Sequence, residues 1–328
     1  MNDPSEILAG YFQLMNLNGA AHVYHEAVRC GLLEALRSGP KSAEELAASR
    51  SLALRPVRLL LPALAALGVV QARGEQFALS PLAELLVSSS YRNLGDEYWA
   101  HLPELLKTDK PIVRMDDTAK SEAFYQAQAA ILGWMLTPAA ECAAQALVAE
   151  GVADGCAILD LGAGSAVWSL TLARELPGAT VTAVDWPAVL EVAAETAQNL
   201  GLPDRLTTIA GNYHEVALPA SKFDLAILAN VTHLETPDGN QALFAKARAA
   251  LKAGGRIAIF DVFPGQPAGD LNRTLYALGL ALRTGHGHVY SVAEFEPLLA
   301  AAGFEPPKLV PLAVPPYAVG MLTAISRQ

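Results

Sequence analysis

The spacing of apolar residues differs between the parts of the chain before and after about residue 150. In the first hundred residues apolar positions recur three and four apart, as in "AAHVYHEAVRCGLLEAL", which places them on one face of a helix. Three such segments precede the alternating stretch "VVQARGEQFALS", whose central Gly74 indicates a hairpin turn. Three helices followed by a two-stranded hairpin are the order of a winged-helix domain, which we predict for residues 1–97.

From residue 157 onward, short runs rich in Val, Ile and Leu alternate with helical segments. The runs read "AILDLG", "TVTAVD", "LTTIAG", "DLAILAN" and "RIAIFD". Strands that are apolar throughout and are each followed by a helix form a parallel sheet that is covered on both faces. We therefore predict an α/β fold with a doubly wound, Rossmann-like sheet over 151–328. A helical connector, 98–150, joins it to the N-terminal domain and contributes to the substrate pocket.

The charge of the chain argues against a nucleic-acid partner for the winged-helix domain. The 328 residues carry 33 acidic and 23 basic side chains, a formal charge of −10, and no basic block. A protein that follows a phosphate backbone needs the opposite balance. The helix that would read DNA carries Arg55 and Arg58 but is otherwise apolar, which suits packing on another protein chain. We expect a homodimer, and a DNA-binding regulator is the alternative.

Neither a secretion signal nor a membrane span is expected. The first residues, "MNDPSEI", have an acid and a proline where a signal peptide has basic residues and an apolar run. The most apolar stretch, 59–70, is too short to cross a bilayer. Cys30, Cys142 and Cys156 are far apart in the chain, which is typical of a reducing compartment. We expect a soluble, cytoplasmic protein with no membrane partner.

A glycine-rich turn, "LDLGAGSA" at 159–166, follows the first strand of the predicted sheet. Ligands of doubly wound sheets bind at the carboxyl ends of the strands, so a ligand is expected here. The turn lacks the Lys-Ser/Thr of a P-loop, and Val167 stands where a dinucleotide fingerprint has its third glycine. Asp160 would repel a phosphate but suits the ammonium and sulfonium of S-adenosylmethionine (SAM). Gly162 and Gly164 let the backbone come close to that ligand.

A second acidic residue ends the next strand. Asp185 in "TVTAVDWP" lies 25 residues after Asp160, where a carboxylate can accept hydrogen bonds from both hydroxyls of a ribose. Either acid alone is a weak signal, but the two together at consecutive strand ends favour a SAM site over a nicotinamide site. The alternative is that both are ordinary turn aspartates at strand ends.

Five segments match the pattern of one known family. They read "HEAVRCGLLEAL", "LDLGAGS", "VDWPAVL", "RLTTIAGNYHEVALP" and "DLAILANVTHLE". On these segments the chain resembles, over nearly its whole length, the small-molecule O-methyltransferases of the hydroxyindole and caffeate type. The first resembles the family's winged-helix dimerisation domain. The next two resemble its first cofactor motif and its Asp-Leu-Pro-x-Val motif, and the last two resemble the Gly-Asp-Phe-Phe segment and the segment with the catalytic histidine.

The resemblance implies a set of cofactor-binding residues and one catalytic residue. It implies that the methionine part of SAM faces Asp160, Gly162 and Gly164 of the first motif. The ribose faces Asp185 of the second motif. The adenine is contacted by Trp186, Asn212 and Tyr213. The resemblance also implies that His233 is the general base.

The position of His233 agrees with that role. It follows the apolar strand "DLAILAN", so it emerges at the carboxyl edge of the sheet, on the same side as the glycine turn. Methyl transfer to a phenol requires that the hydroxyl lose its proton, and a histidine, which ordinarily titrates near neutral pH, can accept it. The alternative is a strand-end histidine that forms only local hydrogen bonds.

The chain departs from the family pattern at several positions. Ala166 stands at the third glycine of the cofactor motif, where a methyl group tightens packing or narrows the approach of the cofactor. Asn212 replaces an aspartate, and the two residues after the predicted base read Leu-Glu in place of Asp-Trp. Glu235 or Asp238 is then expected to orient the imidazole.

The segment "TGHGHVY" carries two further histidines, His286 and His288. In the family this region borders the acceptor pocket, so either side chain can touch the substrate. Two histidines without a third ligand do not predict a metal site, and none is expected.

These observations predict a homodimeric SAM-dependent methyltransferase. Its expected acceptor is a hydroxyl group of a small aromatic or polyketide-like metabolite. Methylation of carbon or nitrogen remains open, and so does a use of the cofactor without methyl transfer, as in a cyclase or hydroxylase.

Overall fold

The computed structural model describes residues 3–88, 94–264, 270–315 and 318–327. Contacts within the chain divide it into two compact units, Met1–Ala100 and His101–Gln328. The first unit is mostly helical and the second is an α/β unit with a large sheet, which confirms the predicted fold class. The finer division, with a connector over 98–150 that contributes to the substrate pocket, stays a prediction.

The first unit contains helices and three short strands within its described residues. The helices are α1 (Pro4–Arg29), α2 (Leu32–Leu36), α3 (Ala43–Ser49), α4 (Leu54–Ala66), α5 (Pro81–Ser88) and α6 (Asp96–Trp99), and the strands are β1 (Lys41–Ser42), β2 (Val70–Arg73) and β3 (Gln76–Leu79). β2 and β3 pair antiparallel, and β1 pairs with the other edge of β3. The predicted hairpin is therefore present, and its turn contains Gly74 with a φ of 63°.

The core of this unit is formed by leucines of α2, α3 and α4. Leu32, Leu46, Leu61 and Leu64 are buried there. The first four turns of α1, in contrast, carry apolar side chains that are 47% to 70% exposed. These are Ile7, Leu8, Tyr11, Phe12, Leu14, Met15 and Leu17.

The second unit alternates strands and helices from residue 157 onward. Its helices are α7 (Leu102–Thr108), α8 (Thr118–Ala149), α9 (Val167–Glu175), α10 (Pro187–Asn199), α11 (Pro237–Ala250), α12 (Asp270–Arg283) and α13 (Val292–Ala301). Its strands are β4 (Ala157–Leu161), β5 (Thr180–Asp185), β6 (Leu206–Ala210), β7 (Phe223–Ala229), β8 (Leu251–Val262), β9 (Lys308–Pro311) and β10 (Val319–Ile325).

The seven strands form one sheet in the order β6-β5-β4-β7-β8-β10-β9. The first five are parallel, and β10 runs antiparallel to both β8 and β9. The chain moves outward from β4 to β6 and then returns to place β7 on the other side of β4. The strand order thus reverses between β4 and β7, which opens a crevice at their carboxyl ends.

Successive residues of the strands point to opposite faces of the sheet and enter two separate cores. Ile158 packs on the face that is covered by α8, α9 and α10. Leu159 and Leu161 pack on the face that is covered by α11 and α13. Both faces are covered, as the apolar runs predict.

Helix α8 packs against α9 and α10 through a face of small residues that includes Ala139, Ala140 and Ala143. At Gly133 it passes so close to the glycine turn that a Cβ would collide with the Ser165 hydroxyl. Its segment Tyr125–Ala149 is long and apolar enough to cross a membrane by length and composition, unlike the shorter 59–70 stretch. A core helix of a soluble protein passes the same test, so this segment does not establish a membrane location.

Candidate active site

The turn between β4 and α9 depends on its glycines. Gly162 and Gly164 have φ angles of 70° and 57°, in the left-handed region that favours glycine. A Cβ on Gly162 would lie 2.5 Å from Cγ2 of Val231 and 3.5 Å from the ring of Tyr213. A Cβ on Gly164 would meet no atom within 4 Å, so this side of the turn is open. The turn therefore packs closely on one side and leaves room for a ligand at Gly164.

Ala166 takes the same left-handed conformation, with a φ of 54°, although it has a Cβ. It precedes the first turn of α9, and its side chain is fully buried in the core formed with α8 and α9. Of the two effects expected for this methyl group, the structure shows the packing one. The group does not line the open side of the turn.

Asp160 lies at the carboxyl end of β4 and is 1% exposed. One carboxylate oxygen accepts a hydrogen bond from the Ser169 hydroxyl on α9, and the other has no hydrogen-bond partner among the described residues. Burial raises the pKa of Asp160 to about 7; the bond from Ser169 opposes this, and the charge of Asp185 adds to it. The site thus holds a buried carboxylate with one unsatisfied oxygen.

Asp185 ends the neighbouring strand β5 and joins the glycine turn to it. One oxygen accepts from the backbone N–H of Gly164 at 2.8 Å, and the other accepts from the N–H of Trp186 at 2.7 Å. Burial raises the pKa of Asp185; the two N–H donors oppose the rise and the carboxylate of Glu122 adds to it. Each oxygen of a carboxylate has two acceptor directions, so both can accept one further donor.

The turn after β6 lies at the same edge, because Ala210 pairs with Asp185 across the sheet. The side-chain oxygen of Asn212 accepts from the N–H of His214 at 2.9 Å in a local turn, and no described residue bonds its amide nitrogen. The ring of Tyr213 lies against the glycine turn. The structure therefore gathers the predicted cofactor residues along the carboxyl ends of β4, β5 and β6.

His233 follows β7 in a short 3₁₀ turn, Thr232–Leu234, and is 6% exposed. Its Nδ1 lies 2.9 and 3.0 Å from the two oxygens of Asp261 in β8. An ionised carboxylate only accepts, so Nδ1 carries the proton and Nε2 presents a lone pair. This is the tautomer that a general base for a hydroxyl proton requires.

The carboxylate that orients the imidazole is Asp261, and the expectation of Glu235 or Asp238 is wrong. Asp261 also accepts from the Thr232 hydroxyl at 2.6 Å and from the backbone N–H of His233 at 3.2 Å. Glu235 points instead to the Tyr213 hydroxyl, 2.7 Å away. A sequence signal for Asp261 existed: it ends the apolar run "RIAIFD", just as Asp185 ends "TVTAVD". It lies 28 residues from His233 in the chain, so no local motif connects the two.

Tyr276 of α12 is a further neighbour that the sequence did not indicate. Its hydroxyl lies 3.2 Å from Nε2 and 3.4 Å from Nδ1 of His233, and the two rings are perpendicular, at 87°. Nearly equal distances to both nitrogens place the hydroxyl over the imidazole face and not in line with the Nε2 lone pair. Burial raises the pKa of Tyr276 well above its usual value, so its hydroxyl stays protonated.

The backbone of the turn that carries His233 is held by α11 and by the loop before α13. The Asn240 amide donates to the carbonyl of Thr232, the N–H of His288 donates to the carbonyl of His233, and the Tyr290 hydroxyl donates to the carbonyl of Glu235. These bonds, each 2.7 to 2.9 Å long, hold the turn of His233 in place without a ligand.

The two histidines of "TGHGHVY" are paired with carboxylates. His286 Nδ1 lies 2.8 Å from Asp116, which also accepts from the N–H groups of Gly285 and His286. His288 Nε2 lies 2.9 Å from Glu294. Among the described residues no three potential metal ligands cluster. Whether His286 or His288 contacts a substrate stays a prediction.

Two family models match the chain: an O-methyltransferase dimerisation domain over residues 13–89 and an O-methyltransferase domain over residues 133–305. The 3-hydroxy-5-methyl-1-naphthoate 3-O-methyltransferase of Streptomyces sahachiroi is 26% identical over 309 residues, which cover 88% of this chain and 87% of that protein. The acetylserotonin O-methyltransferase of Mus musculus is 29% identical over 320 residues, with coverages of 87% and 80%.

A solved structure has the same fold. Human N-acetylserotonin methyltransferase in complex with SAM matches with a TM-score of 0.71 at 18% identity, over 100% of this chain and 99% of that one. The likeness therefore covers both units of the chain.

Proposed function

The chain belongs to the O-methyltransferase family of SAM-dependent enzymes, and on that premise we propose that it methylates a hydroxyl group of a small aromatic or polyketide-like metabolite. One observation carries the proposal: the His233–Asp261 pair occupies the same edge of the sheet as the glycine turn and presents the Nε2 lone pair. That arrangement suits removal of a proton from an acceptor hydroxyl beside a bound cofactor.

The residues at the glycine turn fit SAM. The unsatisfied oxygen of Asp160 suits a cationic group, and the open side of Gly164 gives the backbone room for a ligand. Asp185 has acceptor directions left for ribose hydroxyls. We assign Asp160, Gly162 and Gly164 to the methionine part and Asp185 to the ribose. Trp186, Asn212 and Tyr213 are assigned to the adenine.

The proposed mechanism uses His233 as the base and Asp261 as its support. When bound, SAM supplies an electrophilic methyl group on its sulfonium. Nε2 of His233 takes the proton of the acceptor hydroxyl, and the Asp261 carboxylate stabilises the resulting imidazolium through Nδ1. Burial of the pair keeps water away from the developing charges, and a general base contributes about 10²- to 10⁴-fold in rate.

We also propose that the enzyme is a homodimer in the cytoplasm. The dimerisation-domain match over 13–89 and the exposed apolar side chains of α1 support a second copy as the partner. Tyr11, with 63% of its surface exposed, and Leu14, with 70%, are examples of side chains that such a partner would bury. The free cysteines suit a reducing compartment.

The test of the function has two steps. Calorimetry first measures binding of SAM and of its demethylated product to the purified protein, for which micromolar or tighter affinity is expected. The protein is then incubated with SAM and a panel of phenols, naphthols and hydroxylated heteroaromatics, and both products are identified by mass spectrometry. A methyl ether with an equal amount of demethylated cofactor supports the proposal.

Other results would contradict part or all of it. A product methylated on carbon or nitrogen would leave the cofactor site standing and remove the hydroxyl assignment. Conversion of an acceptor without demethylated cofactor would indicate a cyclase- or hydroxylase-like use of SAM. A folded protein that binds neither SAM nor its product would overturn the proposed function.

A further inference from the structure

A polar cluster lies between the glycine turn and the turn that carries His233. The carboxylate of Glu235 accepts a hydrogen bond from the Tyr213 hydroxyl at 2.7 Å, and the same oxygen lies 3.0 Å from Nε2 of His214. The Glu235 side chain is 15% exposed and that of His214 is 30% exposed. The catalytic mechanism described above does not use this carboxylate.

The protonation states make the bond between Tyr213 and Glu235 charge-assisted. Burial and the adjacent carboxylate raise the pKa of Tyr213 well above its usual value, so its hydroxyl remains a donor. Burial alone would raise the pKa of Glu235, but the hydrogen bonds from His214 and Tyr213 outweigh it and hold that pKa below its usual value. A neutral phenol donating to a charged carboxylate is among the stronger hydrogen bonds in proteins.

Tyr213 connects this hydrogen bond to the glycine turn, because its ring packs against the turn. Its ring lies 3.5 Å from the position that a Cβ on Gly162 would take, and it packs in the same apolar cluster as Val231. If the hydroxyl lost its acceptor, the ring would keep its packing against the apolar cluster and the ring of His214, without a directional bond from its hydroxyl to Glu235. The backbone of the glycine turn that packs on Tyr213 would then be held less rigidly.

Glu235 is anchored independently of this side-chain bond. Its backbone carbonyl accepts from the Tyr290 hydroxyl at 2.7 Å, and Tyr290 is itself buried and stacked on Phe295. His233, two residues earlier, is held by Asp261. Truncating the Glu235 side chain therefore leaves the bonds that hold His233 and removes the acceptor for Tyr213 and His214.

We propose that Glu235 is a positioning residue that holds Tyr213 against the glycine turn and thereby sets the affinity for the cofactor. The inference rests on the proposed function, because it takes the glycine turn as the SAM site. It assigns to Glu235 an effect on cofactor binding, and not on the proton transfer that the sequence pattern suggested.

The test measures binding of demethylated SAM by calorimetry in the parent, Glu235→Ala, Glu235→Gln, Tyr213→Phe and the double variant Tyr213→Phe/Glu235→Ala. Glu235→Ala and Tyr213→Phe should each weaken binding roughly tenfold, the lower end expected for a bond to a charged group. Glu235→Gln keeps an acceptor oxygen for Tyr213 but loses the charge, so it should weaken binding by about threefold, less than Glu235→Ala. The double variant should bind no more weakly than the weaker single variant, because both changes remove one bond.

Asp238→Asn is the matched control, since it neutralises an exposed carboxylate in the first turn of α11 and should bind like the parent. Thermal unfolding checks that each variant folds; if Glu235→Ala does not, Tyr213→Phe, which removes a single oxygen atom, decides the question. Parent affinity in Tyr213→Phe and Glu235→Ala, or additive losses in the double variant, would overturn the inference. A parent protein that does not bind at all would instead defeat the proposed function.

Discussion

Two buried carboxylates at the same edge of the sheet differ in how completely they are hydrogen-bonded. On the β4–β5 side, Asp160 accepts one hydrogen bond, from Ser169, and its other oxygen has no partner in the described part of the chain. On the β7–β8 side, Asp261 is just as buried, but it accepts from Thr232, from the backbone and the ring of His233, and from the next backbone N–H.

On the proposed assignment of the two sides, the difference separates a site that needs a ligand from one whose hydrogen bonds are complete without it. A buried carboxylate with an unsatisfied oxygen costs free energy, and a cationic ligand removes that cost. A saturated carboxylate instead holds its histidine in one tautomer and orientation before any ligand arrives. Substitutions on the two sides should therefore separate binding from turnover.

The largest effect is expected from His233, the proposed base. His233→Ala should lower turnover by about 10²- to 10⁴-fold, because the acceptor hydroxyl then loses its proton only to water. Asp261→Asn should also be slow, since an amide nitrogen facing Nδ1 favours the wrong tautomer. The checks are initial rates at saturating cofactor and calorimetry of the cofactor, which should bind both variants like the parent. Turnover at the parent rate in folded His233→Ala would remove the base assignment.

Binding losses are expected on the other side. Asp185→Ala and Asp160→Asn should weaken SAM binding roughly 10- to 100-fold, the range for hydrogen bonds to charged groups. Asp224→Asn is the control, because Asp224 lies at the opposite end of β7 and bonds Lys252 and the N–H of Ala157. Calorimetry measures all three. Unchanged affinity in Asp185→Ala would contradict the cofactor assignment of this edge.

A pH dependence should distinguish the two carboxylates further. The pKa of Asp160 is about 7 in the fold and ordinarily near 3.8, so the folded chain binds the extra proton between these values. Its contribution to the free energy of unfolding is therefore present below about pH 4 and is lost as the pH rises through 7. Denaturant unfolding of the protein without ligand should show this slope, and Asp160→Asn should remove it.

Ligand binding should show the opposite trend. SAM affinity of the parent should rise between about pH 6 and 8, as Asp160 ionises and attracts the cationic ligand. The unfolding experiment provides the contradicting outcome. If the free energy of unfolding changes with pH equally in the parent and in Asp160→Asn, the pKa of Asp160 is not raised.

The smallest effect is expected from removing the side chain of Ala166. Ala166→Gly relieves a left-handed alanine by about 1–2 kcal/mol but loses a buried methyl group and gains chain entropy when unfolded, so the net change should be near zero. Ala166→Val places a β-branched residue in the same conformation and should destabilise by about 2 kcal/mol or more. Denaturant unfolding compares the three proteins. A Val variant as stable as the parent would contradict the local geometry.

Most of the residues proposed to bind the cofactor could be predicted, because each belongs to a short motif in the sequence. Gly162 and Asp185 each stand at the end of an apolar run, and the carboxyl ends of parallel strands meet at one edge. Asp261 obeyed the same rule, but connecting it with His233 required knowing that β7 and β8 are neighbours. Tyr276 comes from a helix without a motif, and only the packing of α12 brings its hydroxyl to the imidazole.

The sequence by itself determined the five parallel strands, most of the helices between them and the edge at which its motifs would meet. These follow from the periodicity of apolar residues and from the conformational needs of glycine, which act over a few residues. The sequence did not indicate β9 and β10, which add an antiparallel end to the sheet. The tertiary structure alone decided which carboxylate serves His233 and which oxygen of Asp160 stays unsatisfied. It also decided that Glu235 turns to Tyr213. Such pairings depend on distances between side chains far apart in the chain, and those distances are set only when the sheet assembles.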